Sequence, residues 1–161
     1  MTIKLLRTIF LTMVISLIGL QTSHACDCVY AGDFTEFSKG RTVIRGEIVS
    51  YGPKLSHGET LYATMVVSVK QVIKGSYAHR SVQFEGDPGN LCLTYVDSNQ
   101  YSIGSEHLFI ISSDEKTQGL LVCGEVSVAI VDGKVFSWEL IDGEWKEYSV
   151  DYDDFIQAVK E

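Results

Sequence analysis

Four cysteines carry the most chemistry in this chain: Cys26, Cys28, Cys92 and Cys123. Four thiols invite two readings, a tetrahedral zinc site or a pair of disulfides. The paired short clips that structural zinc sites use are missing, so disulfides are expected. Joining Cys26 to Cys28 would close a very small, strained ring. The two other connectivities both tie the N-terminal pair to the distant pair. Each long loop closed this way is worth about 4–5 kcal/mol in the chain-entropy model. With every sulfur oxidised, no thiol nucleophile is left.

The other reactive side chains form no catalytic constellation. His57, His79 and His107 lack metal-ligand spacing and are expected at loops or strand ends. Gly86-Asp87-Pro88-Gly89 reads as a turn, not as a phosphate cradle. Asp151, Asp153 and Asp154 would suit a cation, but three acids at a helix start are explained by the helix dipole. Trp138 and Trp145 suit either a sugar-stacking surface or cross-strand packing, and packing is the simpler reading. The expectation is a binding module with no catalytic residue and no cofactor of its own, not an enzyme.

The N-terminus says where such a module works. Lys4 and Arg7 precede an uncharged apolar run from Ile9 to Leu20, and a polar stretch ends at Ala25. These are the parts of a secretory signal peptide over residues 1–25, with cleavage between Ala25 and Cys26. The run is too short to span a bilayer as a mature helix. Ser23 stands where a lipidation signal would carry Leu, so Cys26 is expected unacylated, with a free α-amine. The destination is the periplasm or the cell exterior, where disulfides persist. Removing Lys4 and Arg7 leaves 11 basic against 21 acidic side chains, a net charge of −10. Such a surface repels phosphate backbones, and nucleic acid is not an expected partner.

Residues 26–161 are long enough for one core and one domain. Phe34 and Phe37 sit at helical spacing between Asp33 and Gly40. Thr42–Tyr51, Leu61–Ile73, Ser81–Phe84 and Glu106–Ser112 read as strands, and Leu120–Cys123 continues the pattern. Asp132-Gly133 and Asp142-Gly143 separate alternating apolar runs and predict two hairpins. Asp151–Lys160 reads as a capped helix. The fold class expected is mainly β, a five-stranded barrel of the OB type with short flanking helices and C-terminal hairpins plus a helix.

Cys26-Asp27-Cys28, directly after the signal peptide, resembles the mature N-terminus of the tissue inhibitors of metalloproteinases, which begin Cys-x-Cys. Thr42–Ser50, with Val43-Ile44-Arg45, is similar to that family's first barrel strand. Tyr62–Gly75, ending Val72-Ile73-Lys74-Gly75, is similar to its second. The resemblance covers Cys26 to Cys123 and implies a netrin-like OB barrel, in a single-domain form that suits a bacterial source. It implies the bridges Cys26–Cys92 and Cys28–Cys123. It implies a protein partner, a zinc metalloprotease, bound through Cys26, Asp27, Cys28 and Val29 together with Asn90 and Leu91 in the loop before Cys92. In that family the α-amine and carbonyl oxygen of the first cysteine chelate the protease zinc, so the metal is held in trans by Cys26. Asp27 departs from the small or hydroxyl residue that the inhibitors carry between their cysteines. The alternative is an envelope or extracellular domain that binds another protein or a glycan without inhibiting a protease.

Overall fold

Val, Ile and Phe at two-residue spacing build this chain around one large sheet. The computed structural model describes residues 33–89, 92–112, 114–121, 126–141 and 144–161, with the backbone alone for 138–141 and 145. Helix α1, Phe34–Phe37, opens it, with the Asp33 carboxylate accepting the Glu36 N–H as its N-cap. Then come β1 (Thr42–Tyr51), β2 (Leu61–Tyr62), β3 (Thr64–Lys74) and β4 (Ser81–Glu85). β5 (Val96–Asp97), β6 (Glu106–Ile111), β7 (Thr117–Gly119) and β8 (Ser127–Val131) follow. β9 (Lys134–Ile141), β10 (Glu144–Asp151) and helix α2 (Tyr152–Lys160) complete the chain.

Eight strands form a mixed sheet in the order β10-β9-β8-β6-β1-β3-β4-β7. All its neighbours are antiparallel except β4 and β7. β2 and β5 make a separate two-stranded pair. The mainly β class holds. The expected closed five-stranded barrel is not what the described residues form, because β10 and β7 are unpaired edges. Three register shifts along β1 and β3 are bulges, which bend and twist the sheet without closing it.

The run Leu61–Ile73 does not make one strand. It divides at Ala63, whose N–H donates to Pro53 O and whose carbonyl accepts from Gly86. Residues 61–62 thereby leave the main sheet for β5. Of Leu120–Cys123 only Leu120 and Leu121 are described, and these two form no strand of the sheet. Thr117–Gly119 pairs with β4 instead, and Leu121 makes a single bridge to Leu93.

Central strands β1 and β6 are covered on both faces. Ile44, Ile48, Phe109 and Ile111 enter one core with Met65, Val67, Val82 and Phe84. Tyr101 and Leu120 close over it. Val43, Leu108 and Ile110 enter a second core with Val128, Val135 and the helix residues Phe34, Phe155, Ile156 and Val159. Lys74 Nζ donates to the Val159 carbonyl near the C-terminus of α2, at 2.7 Å. The β8–β9 turn takes Asp132 at φ 51° and Gly133 at φ 75°, the two left-handed residues of a tight hairpin.

Candidate functional site

Cys26, Asp27, Cys28, Val29, Asn90, Leu91 and Cys123 lie outside the described residues. Cys92 is described and is half of a disulfide. The chain around it is tied firmly to the segment that leads to Cys123. Leu93 and Leu121 form an antiparallel bridge. Thr94 donates through its N–H to Leu120 O and through Oγ1 to Leu121 O. Leu120 N–H in turn reaches Glu85 O. The preceding loop is held by Asp87, whose carboxylate accepts the Gly89 N–H at 2.6 Å. That is the turn read from Gly86-Asp87-Pro88-Gly89.

Apolar surface gathers on this edge. Tyr95 and Leu121 are each about 40% exposed, unusual for large hydrophobic side chains that flank a bridge. The His57 ring meets the Tyr95 ring edge-on, with centroids 5.4 Å apart. His57 is a loop residue, as its sequence neighbours suggest. It lies in the turn between β1 and β2, and the fold carries that turn to the Cys92 edge. No periodicity announces Tyr95 or Leu121 as surface residues, because Leu121 sits in a single bridge and Tyr95 in irregular chain before β5.

A second feature lies between the sheet and the crossing segment at Tyr101. It is a pocket of about 280 Å³. Its floor is Tyr101 and His107, only 1% and 2% exposed. Ser127, Ala129 and Phe136 wall it and Glu147 stands at its mouth. His107 is the second residue of β6, near the strand end as expected, but it is buried against the rings of Tyr101 and Phe109. Burial lowers its pKa from 6.5 to about 4, so the ring is neutral at physiological pH. Burial pushes the Tyr101 phenol up, partly offset by its bond to Ser127 Oγ. A lone histidine among apolar residues is not marked out by its sequence neighbours, and only the stacking over β6 encloses it.

A third feature is a wider cleft of about 720 Å³ where α2 meets the β8–β9 turn. Arg45 bridges it, donating from Nε and Nη2 to Glu106 and lying 5.2 Å from the Tyr152 ring centre. The Glu106 carboxylate, chiefly by hydrogen bonding, raises the Arg45 pKa further. Asp132, Asp151 and Asp153 line the same cleft. Asp151 caps α2 by accepting the Asp153 N–H at 3.0 Å, the electrostatic role read for this cluster. Asp154 is exposed on the helix. Among the described residues no three acidic, His or Cys side chains converge as metal ligands.

The remaining residues stand apart. His79 pairs with Asp114 O and the Tyr77 ring in the connection between β3 and β4. Trp138 pairs in register with Glu147 and Trp145 with Leu140, on the β9–β10 ribbon. Among the described residues no helix is long and apolar enough to cross a membrane. Comparison with protein-family models, with curated proteins and with solved structures finds no match.

Proposed function

We propose that this chain is an exported, disulfide-stapled binding module that docks on a protein partner through the Cys92 edge. The Leu93–Leu121 bridge carries the reading. It sets side by side the two segments that lead to the distal cysteines. Bridges from Cys26 and Cys28 to Cys92 and Cys123 would then anchor the mature N-terminus at one place, beside exposed Tyr95 and Leu121. A terminus ordered before binding loses less entropy on binding. The irregular β1–β3 register, shifted at three places, is consistent with an opened netrin-like barrel.

The partner is a zinc metalloprotease. The α-amine nitrogen and carbonyl oxygen of Cys26 form a five-membered chelate on the protease zinc and displace the water that performs hydrolysis. Val29, Asn90 and Leu91 extend the contact. Asp27 faces the first primed pocket, and a buried unpaired carboxylate there is costly. The partner's pocket is therefore polar or basic.

A panel of zinc proteases assayed with the intact mature protein and with a form extended by one N-terminal Ala tests this. Inhibition by the first alone is expected. Equal inhibition by both forms, or none by either, overturns the chelation mechanism. Intact mass before and after reduction checks the premise: a chain that begins at Cys26, with four hydrogens missing and no acyl group.

A further inference from the structure

The floor of the pocket at His107 has unmet hydrogen-bonding capacity. Ser105 Oγ donates its only proton to Ser102 O at 2.7 Å. Towards His107 Nε2, 3.0 Å away, the same oxygen must therefore accept. A neutral ring that donates from Nε2 carries a bare lone pair on Nδ1. No described residue bonds to that nitrogen. His107 is 2% exposed, so what access it keeps is through the pocket it lines.

Next to this acceptor stands a donor. Tyr101 Oη and Ser127 Oγ share one hydrogen bond at 2.8 Å. Two hydroxyls bring two protons, and their shared bond uses one. The other has no acceptor among the described residues. The Tyr101 and His107 rings are 5.3 Å apart, so donor and acceptor are neighbours.

Charge and shape narrow the ligand further. Glu147 is the charged residue among those described around the pocket, and no Lys or Arg accompanies it. Anions are disfavoured. Ala129 and Phe136 offer an apolar wall. The volume of about 280 Å³ suits a single six-membered ring.

We infer that this pocket binds a neutral hydroxyl-bearing ring, an uncharged pyranose. One sugar hydroxyl is both donor and acceptor, so it satisfies His107 Nδ1 and the Tyr101–Ser127 pair together. The apolar C–H face packs on Phe136, and a further hydroxyl donates to Glu147. The pocket adjoins the Cys92 edge, since Thr94 and Leu121 line it as well, but its polar floor at Tyr101, His107 and Ser127 is distinct from that edge.

The test is a titration of the ¹⁵N-labelled mature protein with neutral methyl pyranosides of glucose, galactose, mannose and N-acetylglucosamine, with glucuronate as the charged control. Saturable shifts at the amides of Val128, Ala129 and Phe136 are expected with at least one neutral sugar. Glucuronate should bind about tenfold more weakly or not at all. His107→Phe removes the acceptor and should weaken binding about tenfold, the upper range for one hydrogen bond. Ala129→Leu, at a half-buried position, fills the pocket and should abolish binding even if His107→Phe fails to fold. The ring-nitrogen spectrum should show His107 protonated on Nε2. No saturable shift with any neutral sugar, equal affinity in Ala129→Leu, or a proton on Nδ1 overturns the inference.

Discussion

Acidification should weaken the fold through His107. The folded chain holds its ring neutral down to a pKa of about 4, against 6.5 for an ordinary histidine. Between these values the unfolded chain takes up a proton that the folded chain refuses. Stability is therefore highest above pH 6.5 and falls as pH drops towards 4. A tenfold difference in proton affinity between the two states is worth about 1.36 kcal/mol, so the full loss is about 3 kcal/mol. Most of it, about 2–3 kcal/mol, is incurred between pH 7.5 and 4.5. Urea unfolding across that range gives the slope. His107→Gln gives the reference, because His57, His79 and every carboxylate remain in it and cancel. The variant should lose about 2–3 kcal/mol less than the parent on acidification. The cause is burial, not a neighbouring charge, so added salt should leave the His107 titration unmoved. Equal losses in parent and variant, or a His107 midpoint above 6 by NMR, refute the enclosure described for β6.

Three further outcomes test the packing. In Gly46→Ala the new Cβ would fall on Val67 Cγ1 and 3.2 Å from Ser68 O, so urea unfolding should show a loss of about 1–3 kcal/mol; a neutral substitution contradicts the close approach of β1 and β3. Asp151→Ala removes the N-cap of α2 and should cost about 1 kcal/mol, read as a lower thermal midpoint, while Asp154→Ala, which caps nothing, changes little. Reducing the disulfide at Cys92 should lower stability by about 2–5 kcal/mol, and unchanged urea midpoints with and without reductant contradict a stapled fold.

Local chemistry was legible wherever a short stretch decides its own conformation. Thr42–Tyr51 is a strand over the range that its β-branched pattern predicts. Asp132-Gly133 makes the expected turn because few other pairs accept two left-handed residues in succession. Asp151 caps the final helix, and Phe155, Ile156 and Val159 bury the apolar side that their spacing marks. The expected turn Asp142-Gly143 lies outside the described residues; the flanking strands β9 and β10 pair antiparallel, with Glu144 opposite Ile141. Long-range matters were not legible. β5 and β7, two and three residues long, carry too little pattern to be seen and exist only because β2 and β4 offer them an edge. The break at Ala63 depends on hydrogen bonds to Pro53 and Gly86, distant in sequence.

Composition and order along the chain sufficed for the longer strands, the Asp132-Gly133 turn, the final helix, the acidic charge and the cysteine inventory. These depend on near neighbours, on covalent geometry or on simple counting. Tertiary structure alone decided that the sheet is open and eight strands wide, that His57, Tyr95 and Leu121 share the Cys92 edge, and that His107 lies on the floor of a pocket facing Ser127 and Tyr101. Enclosure and convergence are sums over contacts between residues tens of positions apart, and no local window of sequence contains them.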